Sequence, residues 1–194
     1  MLRLNAIIHN LLSTKASDKV LVERCSSLCG LKAMKCDKCG KAGQFTMHSP
    51  YSRGLIYFSD GKRKDETIKV KRVICSCGRT HALLANNLIP YSSYSLRFIV
   101  TILWKYLHRT KNVQDFCADY YIAPKTIYKW VSLFLAHYKE WMDISEKLTT
   151  LTPSYIKYFE SIENLPLRFF QKTKHSFLES KPHQHNCTID SHSP

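Results

Sequence analysis

Two close cysteine pairs, each followed by a glycine, constrain this chain more than any other feature of its sequence. The first is Cys36-Asp37-Lys38-Cys39-Gly40. The second is Cys75-Ser76-Cys77-Gly78, with His81 just beyond it. A CxxC turn closed by glycine lets two thiolates point at one ion, because glycine takes a backbone conformation that other residues resist. In an extended CxC the two side chains project to one face, and Gly78 supplies the bend. Tetrahedral zinc needs sulfurs about 3.8 Å apart, so Cys75 and Cys77 must lean together. The pattern predicts a structural Zn2+ held by Cys36, Cys39, Cys75 and Cys77, with His81 as the alternative ligand where Cys77 cannot reach. Four thiolates leave no open coordination position, and no general base lies nearby, which argues against catalytic zinc.

Thirty-five residues separate Cys39 from Cys75, room for a hairpin. Leu55–Phe58 and Ile68–Ile74 have strand character, and Ser59-Asp60-Gly61-Lys62 is a turn between them. Ile68 and Val70 would face a small core while Lys69 and Lys71 face out. Residues 31–90 therefore read as a zinc-ribbon-like module with a basic hairpin. Before it, residues 1–30 read as two helices, at about 3–12 and 16–28. Leu4, Ile7, Ile8, Leu11 and Leu12 lie at helical spacing in the first, and Ser17 and Asp18 can cap the second. Asn5, His9 and Asn10 interrupt the first stretch, and no small-residue cleavage site follows, so it does not read as a secretory signal. The expected compartment is the cytoplasm, where the eight cysteines serve as metal ligands and buried thiols rather than disulfides. No apolar run approaches the ~18 residues of a membrane span.

After Pro90 the periodicity turns helical. Leu96, Ile99, Val100, Leu103 and Leu107 fall on one face of a first helix. A break at Thr110-Lys111-Asn112 precedes two more helices, at about 112–120 and 124–140. Val113, Phe116 and Cys117 face inward from one, and Ile127, Trp130, Val131 and Phe134 from the other, with Ile122 plugging the turn. Pro124 fits the first turn of the second helix, where its missing N–H costs nothing. This is helix-turn-helix patterning over 91–142, with Lys125, Thr126, Tyr128 and Lys129 outward at the start of the second helix. Tyr121 stands where Gly or Asn is usual, and Ala123 is a poor N-cap. The expected fold class is thus α+β: a small zinc-ribbon β module flanked by helices, followed by an all-α helix-turn-helix domain. Residues 143–180 read as a C-terminal helical tail, with a helix near 153–162, and 181–194 as disordered.

The net charge of +14 is unevenly placed. Residues 31–90 carry twelve basic and four acidic side chains, and 91–141 seven and three. Residues 142–194 carry six of each. A basic region beside a neutral one points to a polyanion, and double-stranded DNA is the expected partner. Lys62, Arg63, Lys64, Lys69, Lys71 and Arg72 form the densest run and would contact phosphate. Lys125, Thr126, Tyr128 and Lys129 would enter the major groove. Tyr51, Tyr57 and Phe58 offer stacking surfaces for unpaired bases in a competing RNA-binding reading, but fill the ribbon's small core in the preferred one. Cys25 and Cys29 read as a helix face on the ribbon, and Cys117 as core. His183, His185 and Cys187 fall in the polar tail.

The run from Val70 to Leu84, containing Cys75-Ser76-Cys77-Gly78-Arg79-Thr80-His81-Ala82, and the run Ile89-Pro90-Tyr91-Ser92-Ser93-Tyr94-Ser95-Leu96 resemble a bacterial family of unknown function associated with insertion-sequence transposases. The shared pattern is an N-terminal CxxC, a CxCGxTHA element, an IPYSxYSL linker and a helix-turn-helix ending in TIYKW. It covers about residues 31–142, and the tail around Phe169, Phe170, Phe177 and Leu178 is similar. Ala85-Asn86 departs from it, standing where a proline is expected. The resemblance implies Cys36, Cys39, Cys75 and Cys77 as zinc ligands and 113–138 as DNA-binding helices.

The expectation is a zinc-containing, non-catalytic DNA-binding protein, transposase-related or regulatory and nucleoid-associated. The alternatives are a protein-interaction or RNA-binding zinc ribbon, or a DNA-binding fragment of a transposase. A complete transposase needs three carboxylates holding two metal ions in a folded domain. After residue 142 the acids are Asp143, Glu146, Glu160, Glu163, Glu179 and Asp190, spread over the tail. The apolar 142–178 stretch is an expected interface for a homodimer or a mobile-element partner protein.

Overall fold

The computed structural model describes residues 2–4, 19, 31–85, 87–107, 109–146, 169–173 and 175–180. The architecture is mixed α+β. A four-stranded sheet has the order β1-β4-β3-β2, from β1 (Leu2–Leu4), β2 (Phe45–Ser59), β3 (Lys62–Cys75) and β4 (Thr80–Ala85). Three helices follow: α1 (Leu96–Leu107), α2 (Val113–Tyr120) and α3 (Pro124–Glu146). No helix among the described residues is long and apolar enough to cross a membrane.

The hairpin turns on Asp60-Gly61, both at positive φ (52° and 73°). A two-residue turn of that kind matches the right-handed twist of the strands it joins. The strands run well beyond the two stretches expected from sequence. Pro50 is accommodated because the register shifts between His48 and Tyr51, a bulge that frees the strand from needing its N–H. β3 also pairs antiparallel with β4, an unanticipated strand. The far edge of β4 is covered by β1, in parallel register from Leu2↔Leu83 to Leu4↔Ala85. This corrects the helix expected over 3–12 at its first residues. Leu83, Leu84 and Ala85 form an apolar edge, and a short strand satisfies its backbone groups where a helix does not. The remainder of that helix and the one at 16–28 lie outside the described residues, except Lys19, which is helical. The 153–162 helix and the tail from 181 also lie outside them, with Cys25, Cys29, His183, His185 and Cys187.

Residues 55–58 of β2 pack on both faces of the sheet. Leu55 and Tyr57 enter a core with Ile68, Val70, Val73, Leu83, Leu84 and Leu88. Ile56 points the other way, into a second core with Phe98, Phe116, Ile122, Ile127 and Trp130, and Phe58 packs against it. The period of two in a strand makes this division. The helices expected as an all-α unit therefore share their core with the sheet. Phe169, Phe177 and Leu178 complete that core.

The linker 87–95 runs along β2. Ile56 N–H donates to the Ser93 carbonyl (2.7 Å), Ser95 N–H donates to the Ile56 carbonyl (2.9 Å), and the Arg53 guanidinium donates to the Ile89 and Ser92 carbonyls. Ser95 then caps α1, its hydroxyl accepting from Phe98 N–H at 3.1 Å. α1 buries Phe98 and Ile102 as well as Leu96, Ile99, Val100 and Leu103, because sheet and helices flank it. Leu107, expected on the buried face, is 44% exposed at the last turn. Asn112 caps α2, accepting from Asp115 N–H at 2.8 Å, and Pro124 opens α3.

Phe98 is the hub of the helical core, its ring stacked on Phe58 at 4.4 Å and near Tyr94, Tyr120 and Trp130. Phe98→Ala is expected to lower unfolding free energy by about 3–5 kcal/mol in urea denaturation. Asn112→Ala is expected to cost about 1 kcal/mol. A Phe98→Ala loss no larger than that of Asn112→Ala would contradict this core.

Candidate metal centre and basic surface

The first cysteine turn is closed by backbone bonds. Gly40 N–H donates to the Cys36 carbonyl (2.9 Å), and Cys36 N–H donates to the Lys41 carbonyl (3.0 Å). In the second, Gly78 N–H donates to the Cys75 carbonyl (2.8 Å), and Cys75 N–H to the Arg79 carbonyl (2.9 Å). Gly40 and Gly78 sit at φ 71° and 82°, where a β-carbon is disfavoured. The CxC does not continue as the extended strand expected from its spacing. Cys75 ends β3 and Cys77 lies in the turn, so the turn itself brings the two sulfurs together. Phe45 pairs with Cys75, and Ser76 N–H donates to the Gln44 carbonyl (3.0 Å), which ties the second turn to the start of β2.

The four sulfurs of Cys36, Cys39, Cys75 and Cys77 all lie within 4.8 Å of one another. Cys36 and Cys77 are 3.7 Å apart, and Cys39 and Cys75 3.6 Å. These separations are close to the ~3.8 Å edge of a tetrahedral thiolate site. They are far from a disulfide's ~2.05 Å. The group can hold a metal ion.

His81 stands behind this group. It is 1% exposed, on β4 opposite Val73. Its Nε2 is 3.3 Å from Cys36 Sγ, and its Nδ1 is 3.7 Å from an Asp37 carboxylate oxygen. The ring therefore bridges one sulfur to one carboxylate; Cys36, Asp37 and His81 form a second close group of metal-ligating atoms, so the ring is placed both to orient Cys36 and to serve as the alternative ligand. Phe45 packs edge-on against it at 5.6 Å.

The thiols differ in acidity. The backbone N–H of Cys77 chiefly lowers Cys75, with help from neighbouring thiols, and against burial its pKa falls to about 7. Burial works to raise Cys36, but the backbone N–H groups of Cys39 and Lys38 and the His81 ring outweigh it and leave the pKa lowered. At Cys39 the backbone N–H of Lys41 favours ionisation, yet burial and the crowding thiols of Cys75, Cys36 and Cys77 push it up to about 11. Four negative sulfurs this close require a cation among them.

The basic residues divide into two groups. Lys62, Lys64 and Lys69 are exposed, with Lys69 Nζ donating to Ser52 Oγ at 2.9 Å. Lys71 is half-buried. Arg63 and Arg72, expected as phosphate contacts, are engaged within the chain. Arg72 donates to the Ser49 carbonyl (2.7 Å) and lies over the Tyr51 ring. Arg63 donates to the Tyr120 and Tyr121 carbonyls (2.8 and 3.0 Å) and pairs with Asp65 (3.2 Å). The physical reason is that α2 ends with unpaired carbonyls: one guanidinium nitrogen (Nη1) donates to both, while the other (Nη2) faces Asp65. Arg63 thereby sets the hairpin tip against the start of α3, where Lys125, Tyr128 and Lys129 are exposed and Thr126 half-buried. Twelve residues along β3 put Arg63 and Cys75 roughly 40 Å apart, so the cysteine group and this surface lie at opposite ends of the hairpin. The Asp37–His81 bridge and the Arg63 clamp were missed from sequence. An acid beside one cysteine and a histidine four residues past another is the only signal of the bridge, and nothing local signals the clamp.

His81→Ala keeps all four sulfurs and removes the group behind Cys36. Metal affinity in chelator competition is expected to fall roughly 10–100-fold. Unchanged affinity would show that the ring does not support the ligand.

Residues 36–130 match the model of a family described as "Domain of unknown function (DUF6431)". No curated protein and no solved structure matches the chain.

Proposed function

We propose that this chain is a zinc-stabilised, non-catalytic protein that binds double-stranded DNA, of a regulatory or transposase-related kind, acting at the nucleoid. The observation that carries this reading is the pair α2 and α3. A three-residue turn joins them, Ile122 is buried between them, and Lys125, Tyr128 and Lys129 are exposed on the first turns of α3. A helix-turn-helix presents the same N-terminal positions of its second helix to base edges. The basic excess of residues 31–141 suits a polyanion. The four-thiolate group suits zinc in a structural role, since it leaves no position for substrate. The base-stacking alternative draws less support, because Tyr57 lies in one core and Phe58 packs against the other. A protein-interaction reading is favoured by one observation, the exposed Leu135 further along α3, where a second copy or a partner protein could dock.

Lys125→Ala and Lys129→Ala each remove one charge from the surface of α3. Each is expected to weaken duplex binding and to reduce the slope of log affinity against log salt by about 1. If both leave binding unchanged in a folded protein, α3 is not the reading helix. Metal loading must displace protons, since Cys39 holds its proton to about 11 while Cys75 gives its up near 7. Protons compete with the metal for sulfur, so apparent zinc affinity is expected to fall between about pH 8 and about pH 6. Competition with a zinc-binding dye across that range measures it.

A further inference from the structure

Tyr121 occupies the left-handed region, at φ 49° and ψ 49°, where Gly or Asn is usual at the end of a helix. Its side chain is 79% exposed. Glycine would make the same turn with less strain, and the ring gains almost no burial in exchange. The strain is held by the neighbouring hairpin. Arg63 donates to the carbonyls of Tyr120 and Tyr121, and its guanidinium lies 5.9 Å from the centre of the Tyr121 ring. The ring is thus presented to solvent four residues before Lys125, beside a hairpin tip that carries exposed Lys62 and Lys64. A phenol among exposed ammonium groups can donate to an anion that those groups attract.

We propose that Tyr121 is a further contact to duplex DNA, donating its hydroxyl to a phosphate oxygen, and that Arg63 presents it rather than binding phosphate itself. This rests on the DNA-binding reading above.

Substitution by glycine separates the contact from the turn. Tyr121→Gly removes the ring from a conformation that glycine adopts freely, so the melting temperature stays within a few degrees of the parent or rises. Tyr121→Asn, which also tolerates the conformation, repeats the test with a side chain in place. A labelled random-sequence duplex of about 25 base pairs is titrated by fluorescence anisotropy. Tyr121→Gly is expected to bind on the order of tenfold more weakly, the scale of a hydrogen bond to a charged group, and Tyr121→Asn, whose shorter side chain can itself donate, to lose no more than that. Tyr91 is the control: it is 94% exposed, also at positive φ (58°), and lies on the linker beside Arg53. Tyr91→Gly is expected to leave binding unchanged. Arg63→Lys keeps the charge but loses the planar guanidinium that links the Tyr120 and Tyr121 carbonyls to Asp65, and is expected to weaken binding without changing the salt slope. Full binding by Tyr121→Gly, or an equal loss in Tyr91→Gly, overturns the contact. Full binding by Arg63→Lys overturns the presenting role. Absence of duplex binding by the parent protein overturns this proposal and the DNA-binding reading together.

Discussion

The β2–β3 ladder sets the register of everything that follows, because both ends of the molecule hang from it. At one end Phe45 pairs with Cys75 and carries the second cysteine turn against the first. At the other, Phe58 pairs with Arg63, so one residue enters the helical core while its neighbour clamps the end of α2. A slip of one residue would exchange Leu55 and Tyr57 for Ile56 and Phe58, sending each set into the wrong core. The bulge between His48 and Tyr51 absorbs the one irregularity, at Pro50, and leaves the pairing on either side intact.

Two electrostatic problems are solved at opposite ends of this hairpin. Four thiols whose sulfurs lie within 4.8 Å of one another cannot all ionise unaided, and a metal ion among them would supply the missing charge. The excess positive charge elsewhere repels itself in the folded chain. Some of the cations are engaged within the chain: Arg63 and Arg72 donate to carbonyl oxygens, Arg63 also pairs with Asp65, and Lys111 pairs with Asp119. Lys62, Lys64, Lys125 and Lys129 are exposed, as is Lys69, which donates to Ser52. They are the charges a polyanion would meet.

Local chemistry was legible in the sequence. The glycines after each cysteine pair, the Asp60-Gly61 turn, Pro124 at the start of α3 and the apolar spacing of Phe116, Ile122, Ile127 and Trp130 all carry their structural meaning within a few residues. What depends on distant partners was not legible. Residues 45–54 hold a strand with half of its side chains exposed and only Phe45 buried, so alternation is faint and pairing with β3 decides the matter. Leu4 belongs to a helical spacing pattern, yet the open edge of β4 draws it into a strand. Arg63 looked like one more cation in a run, and only the end of α2, 57 residues away, gives it a different task. His81 is a plausible ligand by spacing, and its place behind Cys36 emerges only when β4 pairs with β3.

The proposed metal site and the proposed DNA-binding surface can be addressed together in one titration. Purified protein is quantified for zinc and titrated against random duplex DNA at several salt concentrations. The account predicts about one zinc per chain and an affinity that falls steeply as salt rises. A chain that folds without metal, or that carries zinc and ignores duplex DNA at low salt, would contradict it.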